Sequence, residues 1–154
     1  MGQVATNRRA LFLSLISIGS TIVGIRVLAL ILLEYRNYFP LNFQSDFLFG
    51  REEYFSGLYS FSFFVHIVVS PIALVLGFAL EMSQRVRFLR PLKLRHRRIG
   101  KVQAVLVMFL VAPSGLVMST RAIAGPVAGV GLATLAIATA GTMATAIYLS
   151  LIHI

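Results

Sequence analysis

Hydrophobic residues fall into four long runs, and polar residues gather at the joints between them. The first run, residues 10–33 (ALFLSLISIGSTIVGIRVLALILL), carries one charge, Arg26. The second, 58–81, holds His66 and Pro71 and ends on Glu81. The third, 97–120, is basic at its start and apolar beyond Gln103. The fourth, 126–148, is apolar and rich in small residues. A helix of roughly 20 apolar residues spans the hydrocarbon core of a bilayer. The pattern therefore predicts an all-α, polytopic integral membrane protein, a four-transmembrane-helix bundle with helices at about 10–33, 58–81, 97–120 and 126–148.

The joints differ sharply in chemistry. Residues 82–96 and the start of the third run are basic. Arg85, Arg87, Arg90, Lys93, Arg95, Arg97, Arg98 and Lys101 make up more than half of the 14 Lys and Arg in the chain. A short loop this basic between spanning helices is retained on the cytoplasmic side. These side chains, from Arg85 to Arg98, are expected at anionic lipid headgroups. The joint at 34–57 is acidic on balance, through Glu34, Asp46, Glu52 and Glu53 against Arg36 and Arg51. It is also dense in Phe and Tyr. Such a segment either lies on the bilayer as an interfacial belt or folds over the mouth of the bundle as a lid. The expected topology is an inner-membrane protein with residues 1–9 and 82–96 in the cytoplasm and 34–57 outside. The first run is too long for a signal-peptide core and ends without a small-x-small cleavage site, so it is expected to stay as a helix.

Each helix has a distinguishable face. On the second, Tyr59, Ser62, His66, Ser70, Ala73 and Gly77 recur at steps of three and four, opposite Phe61, Val65, Val68, Ile72 and Val75. A small and polar stripe of this kind packs against other helices in lipid. Pro71 frees a backbone carbonyl that Ser70 or a neighbouring helix must satisfy. Gly100 on the third helix is expected to admit a close neighbour, and Ala112-Pro113-Ser114-Gly115 marks a point of bending. On the fourth, Gly125, Gly129 and Ala133, then Ala136, Ala140 and Ala144, follow small-xxx-small spacing. Nothing else in the chain offers enough large side chains to cover that helix. Further helices, an oligomer or partner membrane helices are therefore expected around it.

Composition agrees with a lipid environment. Apolar residues make up 58% of the 154 and charged residues 12%. The net charge of +9 does not point to nucleic acid, because it is concentrated in one joint. With no cysteine, disulfides and thiolate chemistry are excluded. No metal site is expected, and no catalytic group is identifiable. The closing hexapeptide LSLIHI, residues 149–154, reads like the translation of a transposase sequencing adaptor. It is expected to be a non-native tail, which would make the chain the first part of a longer protein and would give His153 no role.

Two stretches carry a resemblance: Phe63-x-x-His66 with Ala73-Leu74 and Gly77, and His96-Arg97-x-x-Gly100-Lys101 followed by Ala112-Pro113-Ser114-Gly115-Leu116 and a Gly125 turn. In this order and spacing they resemble the bacterial membrane proteins filed as domain of unknown function 2306. The likeness runs from about Phe61 to Tyr148. Lys101 and Gln103 depart from the Arg and Tyr common in that family. The resemblance implies further helices beyond this chain, and it implies no activity.

Function is thus argued from two histidines. A membrane-depth histidine is a candidate site by default. His66 and His96 are candidate ligands of haem b or a quinone in an electron-transfer protein. They lie roughly 22 Å apart along the helix axis at about 1.5 Å per residue, so they do not share one iron. The competing roles are an interhelical hydrogen bond for His66 and a headgroup contact for His96. Two other classes stay open: a small-solute carrier using the polar stripe, and a structural or accessory subunit whose Ser62, Ser70, Gly77, Gly100, Gly125 and Gly129 serve helix packing.

Overall fold

A computed structural model describes residues 2–83 and 96–152. Those residues form four long helices: α1 (Gly2–Tyr38), α2 (Gly57–Ser83), α3 (His96–Ser119) and α4 (Pro126–Ile152). A short 3₁₀ turn at Glu52–Tyr54 lies in the first joint. The apolar parts of the helices run 25, 27, 24 and 25 residues. At about 1.5 Å per residue each exceeds the roughly 30 Å of a hydrocarbon core. Large apolar side chains such as Leu15, Ile22, Phe61, Phe109, Val127 and Leu135 lie exposed on the outer flanks. Flanks of this kind suit lipid or other membrane helices, and not water.

The helices pack in series. α1 lies against α2, α2 against α3 along its length, and α3 against α4. Antiparallel register is visible in the contacts. The Phe78 ring of α2 occupies the space beside Gly24 of α1, where a side chain would collide with it. Ser17 of α1 hydrogen-bonds the Glu81 carboxylate of α2. Between α3 and α4, a Cβ on Gly129 would stand 2.9 Å from the Ser119 carbonyl oxygen, so only glycine permits this approach.

The densest packing is at one end. Tyr38, Leu48, Phe63 and Ile67 form a buried cluster, wrapped by Tyr35, Phe43, Phe47, Phe55 and Phe64. Phe63 meets Tyr38 edge to face at 5.3 Å, Phe47 stacked at 5.8 Å and Phe55 edge to face at 5.1 Å. We call this the aromatic end, and the end carrying Ser83 and His96 the basic end. The first joint therefore folds over the helices, with Leu48 fully buried, and does not lie out along the bilayer. The helices run past the hydropathic spans, α1 at both ends and α4 to Ile152. α1 continues through Glu34–Tyr38, which hydropathy assigns to the joint, because Tyr35 and Tyr38 anchor its last turn onto α2. Hydropathy marks where lipid begins, and a helix stabilised by aromatic packing runs past that point.

α2 passes through Pro71 without a break. Proline has no N–H, so the carbonyl four residues back, on Ile67, loses its helical partner. The Tyr35 hydroxyl of α1 donates to that carbonyl. A neighbouring helix thus satisfies it, while the Ser70 hydroxyl is buried with no partner.

Candidate functional site

α3 changes its winding where it faces the middle of α2. Residues Val107–Val111 form a π-helical segment between α-helical stretches His96–Leu106 and Ala112–Ser119. Pro113 cannot donate to the Phe109 carbonyl, and the Ala112 N–H reaches back to Val107, five residues away. A wider turn of this kind leaves carbonyls imperfectly paired and recurs at functional sites. The Ser114 hydroxyl fills part of the gap, lying 2.5 Å from the Leu110 oxygen and 3.0 Å from the Val111 oxygen.

His66 of α2 meets this turn. Its Nδ1 lies 3.0 Å from Ser114 Oγ. The Ser114 hydroxyl has one proton, and its closest acceptor is a backbone carbonyl. With the hydroxyl proton directed to a backbone carbonyl, Ser114 Oγ is an acceptor for the Nδ1–H tautomer of His66, in which Nε2 holds the ring lone pair. The ring lies beside Gly115, which also faces Ala136 of α4. A Cβ on Gly115 would sit 3.4 Å from His66 Cε1 and 3.5 Å from the Ala136 methyl. Gly115 thus leaves room for His66 of α2 and for Ala136 of α4.

The other sequence-selected residues fall in different places. Ser62 is buried on α2. Gly77 faces Gln103, whose amide nitrogen would come within 2.8 Å of an added Cβ. Among the described residues, nothing lies within 4 Å of a Cβ added at Gly100. The same holds at Gly125. Its φ of +88° shows its use in the α3–α4 turn, where a residue with a Cβ would be strained. His96 is exposed at the first turn of α3, 18 positions before Ser114 and about 27 Å from it at 1.5 Å per residue. The structure does not bring His66 and His96 together. Arg97 and Arg98 are exposed beside His96, whereas Arg85, Arg87, Arg90, Lys93 and Arg95 lie outside the described residues. Among the described residues no group of three or more His, Asp or Glu side chains is placed to hold a metal ion.

Sequence reasoning missed a second polar feature, at the aromatic end. Arg51 is buried at 8% exposure, with its guanidinium 4.3 Å from the centre of the Phe47 ring. It donates to the Tyr59 hydroxyl, and its Nε finds no partner. In the sequence Arg51 is one loop charge among several. Its position among Phe47, Phe49, Tyr54 and Phe55 is the available signal. Tyr59 also lines a cleft of about 370 Å³ together with Glu53, Tyr54, Ser56, Thr120 and Arg121. A larger apolar groove of about 830 Å³ opens between α1 and α2, lined by Leu28, Leu32, Pro71, Ile72 and Val75, with Arg36 in its wall. His66 lies on the α3 side of α2 and does not line that groove.

Comparison with known proteins gives one match. A family profile described as "Predicted membrane protein (DUF2306)" matches residues 63–152, more than half of the chain, and the span includes His66, the π segment and Ser114. No curated protein and no solved structure matches.

Proposed function

We propose, for a chain that belongs to the DUF2306 family of membrane proteins, that His66 is the centre of a haem- or quinone-binding electron-transfer site. The observation that carries this reading is the contact of His66 with Ser114 between two spanning helices, Nδ1 to Oγ at 3.0 Å. In the tautomer whose Nδ1–H donates to Ser114, Nε2 offers a lone pair to a ligand. Histidines that ligate a metal are generally held in this way, with the second ring nitrogen donating to a fixed acceptor. The same lone pair would accept the hydroxyl proton of a quinol. A haem would supply one-electron chemistry. His66 would hold it through a ring nitrogen, with Ser114 orienting the imidazole.

The test is the absorption spectrum and extractable quinone of the purified full chain. A Soret band or bound quinone is expected, and it should be lost in His66→Ala with helicity retained. A folded protein that is colourless and quinone-free would end this reading. It would leave the solute-carrier reading, which one observation favours: the Ser70 hydroxyl is buried without a partner one turn from His66. Flux into liposomes that depends on Ser62 and His66 would be its signature.

The charge pattern supports an orientation in which the basic end faces the cytoplasm and the aromatic end faces out. The apolar flanks left bare on α4 support contact with further membrane helices, from a second copy or a partner.

A further inference from the structure

We infer that the cleft at the aromatic end is a binding site for a zwitterion that joins a primary ammonium to a phosphate or carboxylate, and that its occupant is the phosphoethanolamine headgroup of a membrane lipid. This inference is independent of His66, which lies elsewhere on α2. The cleft, of about 370 Å³, is within the range of roughly 300–1,000 Å³ usual for small-molecule pockets. Its wall carries one charge of each sign, Glu53 and Arg121. The Arg121 guanidinium lies over the Tyr54 ring, 4.9 Å from its centre, and its edge remains free to donate.

A third group adds direction. Arg51 donates to the Tyr59 oxygen, so the Tyr59 proton must go to another acceptor. The phenol is thereby a strengthened donor, supported by a buried cation. Arg121 and Tyr59 together make an anion-binding side, and Thr120 adds a hydroxyl. Glu53 and Ser56 line the same cleft and are suited to an ammonium that donates hydrogen bonds. A quaternary ammonium has no N–H to give Glu53.

Position selects the lipid over a free solute. The cleft is formed where α2 begins and α3 ends, at the depth where headgroups meet the helices. Leu58 and Val117, at the starts of the adjoining apolar surfaces, supply a nonpolar wall against which acyl chains would run. An amphiphile with its zwitterion in the cleft and its chains along these residues satisfies both surfaces.

The test is lipid retention by the full chain in nanodiscs of phosphatidylethanolamine, phosphatidylcholine or phosphatidylglycerol, read by native mass spectrometry. Phosphatidylethanolamine should be retained over the other two. Arg121→Gln should lower its retention about tenfold, the effect of one charge-assisted hydrogen bond. Glu53→Gln should abolish the discrimination against phosphatidylglycerol. Both side chains are exposed, so helicity and the melting temperature should match the parent. Binding of soluble phosphoethanolamine in phosphatidylcholine nanodiscs, with the same dependence on both residues, would support the zwitterion site. Failure of that soluble headgroup to bind would support its lipid source if phosphatidylethanolamine is still selected. Equal retention of the three lipids, or a preference unchanged in both variants, would overturn the inference.

Discussion

At Ile67 a carbonyl deprived of its helical partner by Pro71 takes a hydroxyl from another helix. In lipid no water stands ready to replace that bond, so Tyr35 is more than an aromatic anchor. Tyr35→Phe is expected to destabilise the helix pair by about 1–3 kcal/mol, the cost of a buried acceptor left unmade. Thermal or denaturant unfolding in micelles measures this. The cost should shrink in a Pro71→Ala background, because that substitution restores a backbone donor to the same carbonyl. A double-mutant cycle in which the two changes simply add would show that the hydroxyl acts elsewhere. The need for this bond is legible in the sequence, since proline always removes a donor. Its provider is not, because Tyr35 stands 32 residues away and beyond the apolar run that marks α1. Ser114 illustrates the same limit. It is visible in the Ala112-Pro113-Ser114-Gly115 bend, yet its pairing with His66 depends on the register of two antiparallel helices, which spacing within one helix cannot supply.

Among the helices, α3 sets the geometry of the His66 site. Four spans can be read from hydropathy because about 20 apolar residues in a row have few other uses. The π segment cannot be read that way. Pro113 announces only a disturbance, and the form it takes depends on which carbonyls find other partners. Ser114, immediately after the proline, supplies one such partner through its hydroxyl. Pro113→Ala restores the missing donor and is expected to let residues 107–111 rewind as ordinary α-helix. Rewinding a π turn as α-helix changes the rotation per residue and turns the rest of the helix, carrying Ser114 away from His66. Circular dichroism should show helicity unchanged. Any His66-dependent absorption or quinone binding should fall with this variant toward the level of Ser114→Ala. If the signal survives Pro113→Ala but not Ser114→Ala, the hydroxyl matters and the wider turn does not.

Across the whole molecule, polar and aromatic chemistry is divided between two ends. The aromatic end holds the tightest packing, Arg51 and the zwitterion cleft. The basic end gathers Arg97 and Arg98 on exposed positions of α3, and the cationic joint connects to the same place. This division is readable from sequence, whereas the serial order of the helices and the lid-like fold of residues 39–56 need the contacts. It also bears on orientation. A positive joint resists transfer across an energised membrane, and loops of this length obey that rule most strictly. The aromatic end has no comparable cluster of Lys and Arg, so its transfer meets a smaller barrier. A cysteine or epitope placed beside Lys93 should therefore be unreactive to an impermeant reagent in intact cells and become reactive after the membrane is opened. One placed beside Asp46 should react in both states. Reversal of the two results would put the zwitterion cleft at the cytoplasmic leaflet. The headgroup chemistry of the cleft would stand, but its lipid would then be drawn from the other side of the bilayer.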